Sequence, residues 1–221
     1  MSFVTSLFGT PAQEDEARRR SDMVEQQIRA RGVTNARVLG AMRSVPRERF
    51  VPADVAARAY EDRPLQIGFG QTISQPYIVA YMTEVLEVSA AHRVLEVGTG
   101  SGYQAAVLAQ LAREVYTIEI IPELARRSAA TLAALGYSNV QVRAGDGYLG
   151  WPDRAPFDRI IVTAAPEEIP APLLDQLAPG GRLVVPVGKQ HETQWMTIVE
   201  KTATGASQRR TIPVQFVPFT R

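Results

Sequence analysis

Three glycines, Gly98, Gly100 and Gly102, stand in the run EVGTGSGYQ, directly after a short apolar stretch and before a helical one. A strand that must turn sharply into a helix needs backbone angles that glycine tolerates, and the same bare backbone lets a ligand approach closely. The dinucleotide fingerprint G-x-G-x-x-G would put a glycine at position 103, where Tyr103 stands, so a pyrophosphate has a less obvious seat. Roughly twenty residues further on, a second apolar run ends in Glu119; a carboxylate at that place in such folds accepts hydrogen bonds from ribose hydroxyls. A third run leads into AGDGY, with Asp146 and Gly147 at its carboxyl end, where a carboxylate can accept from an adenine amino group. Each feature has a bland counterpart: a tight turn, an acid favoured by the helix that Pro122 begins, a turn aspartate. In register they predict an adenosine-type ligand lying across three strands, with NAD and S-adenosylmethionine as the main possibilities.

A second stretch, GQTISQP at 70–76, is polar and contains no His, Asp, Glu, Lys or Cys. Its chemistry is limited to the hydroxyls of Thr72 and Ser74 and the amides of Gln71 and Gln75. Ser74 is also placed to cap a helix starting near Pro76. Composition removes other chemistries. With no Cys there is no disulfide, thiolate nucleophile or Cys-ligated metal, and with only His92 and His191 a multi-histidine metal site is not expected. A net charge of +1 gives no reason to expect a nucleic acid as partner. No apolar run approaches the roughly 18–20 residues of a membrane helix. The N-terminus lacks the basic start and sustained apolar stretch of a signal peptide, so a cytoplasmic protein is expected.

Several elements must hold these residues. Residues 1–20 read as a loosely ordered lead-in, although a charged helical pattern already starts near Glu14 and continues to Arg31, with Gly32 as its stop. A helix is predicted over Ala36–Ser44, then an irregular, proline-rich segment, then a helix from Pro76. Five apolar runs at 93–97, 114–120, 140–144, 158–164 and 182–187 follow, with helices over Gln104–Ala112 and Pro122–Leu135 between the first three. Continuous apolar runs alternating with helices indicate a parallel sheet covered on both faces. The last two strands, in QWMTIVEK and RRTIPVQFVPF, have no long helix between them and are expected to pair antiparallel. The prediction is an α/β, doubly wound, mostly parallel Rossmann-like sheet with an N-terminal helical layer and antiparallel C-terminal edge strands. Residues 21–221 then form a single domain, with 21–90 as helical cap and lid and 91–221 as core.

VLEVGTGSGYQAAVLA, the Glu119 ending, the AGDG turn and LAPGGRLVVPVG together resemble a class I S-adenosylmethionine-dependent methyltransferase. RGVTNARVLGAMRSVPRERFVP and AYEDRPLQIGFGQTISQPYIVAYMTEVL resemble, more narrowly, the protein-L-isoaspartate O-methyltransferase family. The resemblance runs from about Met23 to the closing VPF. It implies methyl transfer from S-adenosylmethionine, leaving S-adenosylhomocysteine, to the α-carboxylate of L-isoaspartyl residues in peptides and damaged proteins. It implies Ser74 at the substrate carboxylate, in an orienting role. Thr72, Ile73, Gly98, Gly100, Gly102, Glu119, Ile120, Asp146 and Gly147 would hold the cofactor. Gln71, Gln75, Val187 and Thr220 would serve the substrate side, with VVPVGKQ and FVPFT offering free main chain to a peptide strand. No metal and no membrane is implied, and a monomer is expected.

Other readings fit less of the chain. DNA amino-methyltransferases carry a Pro-Pro-aromatic motif after the fourth strand, where this chain reads TAAPEEIP; cytosine C5 enzymes need a cysteine. A small-molecule methyltransferase or a non-catalytic nucleotide-binding module would each leave GQTISQP unexplained, and the missing third glycine and the AGDG turn count against an NAD-dependent oxidoreductase.

Overall fold

In the computed structural model, which describes residues 10–221, the chain opens on helix α1 (Pro11–Asp22). Proline suits a first helical position because its missing N–H is unpaired there anyway, and Thr10 and Gln13 close a capping box around it. Residues 11–20 are therefore helical, which corrects the loose lead-in expected over 1–20; the first nine residues of that expectation lie outside the described ones. The helix passes through a π-helical turn over Met23–Ile28 and a 3-10 turn over Arg29–Arg31. It stops at Gly32, whose φ of 96° closes the C-terminus in the left-handed region. Met23, Val24 and Ile28 are buried, as their helical spacing requires. Helix α2 (Ala36–Ser44) is capped by the Asn35 side chain and buries Val38, Leu39 and Met42.

Two 3-10 turns, Arg47–Phe50 and Ala53–Arg58, fill the proline-rich segment. They lead into an antiparallel hairpin of strands β1 (Leu65–Gly68) and β2 (Gln71–Ile73), which the sequence pattern did not announce. Its tip, Gly68-Phe69-Gly70, has positive φ throughout, at 92°, 56° and 69°. Two glycines make that turn accessible and leave one strained phenylalanine between them. Helix α3 (Pro76–Leu86) follows, starting on its proline.

The remaining elements run β3 (Arg93–Val97), α4 (Tyr103–Ala109), β4 (Glu114–Glu119), α5 (Pro122–Ala134), β5 (Val140–Ala144), β6 (Phe157–Val162), α6 (Ala171–Asp175), β7 (Leu177–Val187), β8 (Gln194–Thr202) and β9 (Gly205–Val214). They form a seven-stranded sheet in the order β5-β4-β3-β6-β7-β8-β9. Pairing is parallel from β5 to β7 and antiparallel for β8 and β9. This is the doubly wound sheet with antiparallel closing strands that the apolar runs predict. Strand β7 begins earlier than expected: Leu177 pairs with Phe157, and the ladder resumes at Arg182 after an irregularity that takes up APGG.

Both faces of the sheet are covered. Val94, Val115, Ile161 and Val184 point into one core, and Leu95, Tyr116, Ile160 and Leu183 into the other, following the two-residue strand period. At the centre, β3 has β4 on one side and β6 on the other, so connections leave it in opposite directions. The crevice above the carboxyl ends of these strands is where open α/β sheets take ligands. Among the described residues, no helix is long and apolar enough to cross a membrane.

Candidate active site

Above that crevice the loop after β3 is pinned from three sides. Gly98 N–H and Thr99 N–H both donate to the Ile118 carbonyl, at 2.8 and 3.2 Å. Thr163, just past β6, donates its hydroxyl to the Gly98 carbonyl at 2.6 Å. Glu119 closes the third side, accepting from Gly100 N–H at 2.7 Å and from Ile121 N–H at 3.0 Å. A carboxylate has about four acceptor positions, so Glu119 both holds the loop and keeps capacity for two hydroxyl donors.

The three glycines do different jobs. A Cβ at Gly98 would lie 2.3 Å from Thr163 Oγ1, so this position serves the close approach of β3 and β6. Gly100, with φ 52°, would meet only Ile67 Cδ1 at 3.5 Å and faces the cleft. Gly102, with φ 88°, does not line the cleft; its Cα packs on Ser128 and Leu132 of α5. Gly147 lines the cleft and lets its turn approach Val97, whose Cγ1 would be 2.4 Å from a Cβ there.

The GQTISQP segment folds over this loop. Gln71, Thr72, Ile73 and Ser74 form one wall of a cleft whose other walls are Gly98–Ser101, Glu119, Ile120 and Gly147. The cleft holds about 790 Å³ of empty space, counting the open solvent at its mouth. Beside it runs an outer groove of about 1540 Å³, lined by Arg31, Gln75, Tyr77, Gln190 and the chain from Ile212 to Pro218. Thr72, Ser74 and Thr163 line both. Ser74 is thus at the passage between the two spaces. It is not the helix cap: α3 is capped at Gln75, without a side-chain cap bond. Gln75 is tied instead to Asp62, donating to its carboxylate at 2.8 Å and to its carbonyl at 3.1 Å.

Two other expected residues sit differently. The Asp146 side chain does not line the cleft; Oδ1 accepts from Tyr148 N–H at 2.9 Å and Oδ2 from Arg221 Nε at 3.3 Å. Val187 is placed away from both spaces, in a separate groove with Glu167, Glu168 and Arg209. It pairs with Trp195 across β7 and β8 and packs against the opposite core. The C-terminal tail comes closer than expected. Ala165 N–H donates to the Val217 carbonyl and Phe219 N–H to the Ala165 carbonyl, at 2.9 and 3.1 Å, so Val217–Thr220 is laid across the cleft mouth.

Residues not singled out from sequence also line the cleft, among them Thr99, Ser101, Tyr103, Gln104 and Thr163. Thr163 had a legible signal, since it lies at the carboxyl end of the strand beyond the topological switch. Tyr103 and Glu119 are the ionisable groups among the described lining residues. Burial pushes the Tyr103 phenol up to about 12, against the nearby Arg47 charge, which pulls it down. Behind the loop, Thr99 and Thr117 share a 2.6 Å hydrogen bond, and Thr117 donates to the buried Glu96 at 2.6 Å. Burial drives the Glu96 carboxyl up to about 8, opposed by the Thr117 bond and reinforced by the Glu119 charge.

Comparison with known proteins places this geometry. A family model described as protein-L-isoaspartate(D-aspartate) O-methyltransferase matches residues 18–221. The chain belongs to that family. A protein-L-isoaspartate O-methyltransferase of Gloeobacter violaceus is 61% identical over 199 residues, 90% of this chain and 97% of that one. One of Opitutus terrae is 57% identical over 202 residues, covering 91% and 87%. A solved protein-L-isoaspartate O-methyltransferase superposes with a TM-score of 0.83 at 29% identity, over 90% of this chain and 65% of that chain. A putative member from Plasmodium falciparum, solved in complex with S-adenosyl-L-homocysteine, superposes at 0.80 over 91% and 98%; at 24% identity it speaks for the fold alone.

Proposed function

We propose that this protein is a cytoplasmic repair methyltransferase, acting as a monomer, that transfers a methyl group from S-adenosylmethionine to the α-carboxylate of L-isoaspartyl residues in damaged proteins and peptides. The observation that carries the reading is the position of Ser74 on the wall shared by the inner cleft and the outer groove. An adenosine ligand in the first and a peptide in the second would meet there.

The inner cleft suits the cofactor. Gly100 leaves bare backbone at the loop, Glu119 has free acceptor positions beside it, and Thr72, Ile73 and Ile120 supply small and apolar walls. When bound, the cofactor supplies a methyl group on a sulfonium, an electrophile that needs no activation by the protein. The chain's own task is then binding, orientation and exclusion of water.

An α-carboxylate has a pKa of about 3.5, so it reaches the site already ionised at neutral pH and no proton has to be removed. The lining agrees with that demand. Tyr103 stays protonated far above neutral pH, and Glu119 is engaged with two main-chain donors, so neither is set to work as a base. Ser74 donates its hydroxyl to one carboxylate oxygen and leaves the other facing the cleft. Holding the reactants in line contributes up to roughly 7–11 kcal/mol of barrier reduction. The tail over Val217–Thr220 shields the reacting atoms from water and offers main-chain groups to the peptide. Thr220 lies at the inner cleft and Gln75 in the outer groove; both remain on the substrate side of this reading.

Ser74→Ala tests the assignment. Turnover of an isoaspartyl peptide should fall about tenfold, the worth of one charge-assisted hydrogen bond, while calorimetric affinity for S-adenosylhomocysteine stays within twofold of the parent. Equal losses in both would make Ser74 a structural residue, and unchanged turnover would remove it from the site.

A further inference from the structure

The most unusual group near the site is Arg47, at the start of the 3-10 turn after Pro46. It is completely buried, yet no carboxylate touches it among the described residues. Its Nε donates to the Ala59 carbonyl and its Nη2 to the Ser74 carbonyl, each at 2.7 Å. The guanidinium lies over the Tyr103 ring, 4.8 Å from its centre, and Nη1 has no hydrogen-bond partner. Burial lowers its pKa to about 10, which still leaves a full cation at neutral pH.

A buried, uncompensated charge costs several kcal/mol that an apolar side chain of similar size would not. Its contacts suggest what that charge does. They join Ala59, Ser74 and Tyr103, which belong to the turn before the hairpin, the segment after it and the first residue of α4. One side chain thus registers the Ser74 segment against the helix that follows the glycine loop.

Peptide geometry extends the effect to the groove. In a trans peptide the C=O and the following N–H point in opposite directions. Drawing the Ser74 carbonyl toward Arg47 therefore turns the Gln75 N–H away from it, and both Ser74 and Gln75 line the outer groove. That N–H has no partner among the described residues, while the Gln75 carbonyl accepts from Val79 N–H. A cation on the carbonyl polarises the whole peptide unit and strengthens the N–H as a donor to an anion.

We propose that Arg47 is a positioning residue for methyl transfer: its buried charge fixes and polarises the Ser74–Gln75 peptide, so that the Ser74 hydroxyl and the Gln75 N–H hold the substrate carboxylate together. This rests on the placement of that carboxylate at Ser74.

Arg47→Lys and Arg47→Gln test it, beside Ser74→Ala in the same assay. Lysine keeps the charge but cannot span both carbonyls; glutamine keeps a donor but loses the charge. Peptide turnover should fall about tenfold in the lysine variant and about tenfold further in the glutamine variant, one charge-assisted contact at each step. Affinity for S-adenosylhomocysteine should stay within twofold in both. Turnover within twofold of the parent, equal losses for Lys and Gln, or a parallel loss of cofactor affinity would each overturn the proposal. Should the glutamine variant fail to fold, the split between turnover and cofactor affinity in the lysine variant decides alone. If Ser74→Ala slows turnover while the Arg47 variants do not, only the role of Arg47 falls; if none of them slows it, the carboxylate is not at Ser74.

Discussion

Replacing Gly98 by alanine would build a Cβ 2.3 Å from Thr163 Oγ1, about an ångström inside contact distance, on a residue whose φ is 97°. Two costs follow, and they are separable. The backbone strain of an L-residue in that region is of order 1–3 kcal/mol and depends on nothing else in the site. The collision can be relieved by rotating the Thr163 hydroxyl, which then gives up its 2.6 Å bond to the Gly98 carbonyl and its 3.1 Å bond to the Val97 carbonyl. Losing that anchoring is worth about 1 kcal/mol. Gly98→Ala should therefore destabilise the protein by about 2–4 kcal/mol, read by urea unfolding at constant m-value. Because the displaced loop is a wall of the inner cleft, calorimetric affinity for S-adenosylhomocysteine should fall at least about tenfold with it. The double mutant with Thr163→Ala isolates the collision: with the hydroxyl gone, only the strain remains. The two single effects should then fail to add by about 1 kcal/mol, beyond the few tenths that independent sites show. Strict additivity, or a Gly98→Ala protein within 0.5 kcal/mol of the parent (the range of neutral surface changes), would refute the idea that this loop is held by Thr163.

Three further outcomes are expected. On the proposed reading Asp146 would have to leave Arg221 and turn to the cofactor to accept from the adenine amino group. Asp146→Ala should then weaken S-adenosylhomocysteine binding by about 1–2 kcal/mol, whereas Arg221→Ala, which frees the same carboxylate from its 3.3 Å ion pair, should not weaken it; equal losses in calorimetry would count against an adenine role. Glu96 carries its proton in the folded protein up to about pH 8 but loses it near 4.5 when unfolded. The folded state then binds the extra proton between these values, so stability from this group is intact at low pH and declines as pH rises from about 4.5 through about 8. Glu96→Gln should flatten that decline in unfolding experiments from pH 5 to 9, and an unchanged slope would show that Glu96 ionises normally. Asn35→Ala should lower stability by about 1 kcal/mol in urea unfolding, through loss of the α2 cap that accepts from Arg37 and Val38 N–H, without changing peptide turnover.

Much of the sheet was readable because the strands are buried on both faces and so appear as unbroken apolar runs. The positions of Arg93–Val97 and Glu114–Glu119 follow directly from that, whereas the edge strand Val140–Ala144 is only partly buried. The hairpin at Leu65–Ile73 was not readable, since its strands are four and three residues long and flank a turn with three positive φ angles. Helix α1 was read from Glu14 but not from its start at Pro11, because it buries no residue and so shows no apolar stripe; its proline and capping box were the available signals for that first turn. Within the site, Glu119 and the glycines were legible as residue types at motif spacing. Their division of labour was not: that Gly102 packs on α5 while Gly100 faces the cleft depends on distances no spacing encodes. Arg47 shows the limit most clearly. In sequence it is one arginine in a charged run, and only burial beneath Ser74 distinguishes it from Arg49.

The central claim is that an ionised α-carboxylate is methylated by a site containing no base. It is tested by incubating the protein with methyl-labelled S-adenosylmethionine and two peptides of one sequence, containing L-isoaspartate or L-aspartate. The account predicts base-labile label on the isoaspartyl peptide alone, at a rate that does not fall between pH 8 and pH 6, a range well above the roughly 3.5 at which the carboxylate protonates. Label on neither peptide, or equal label on both, would contradict it.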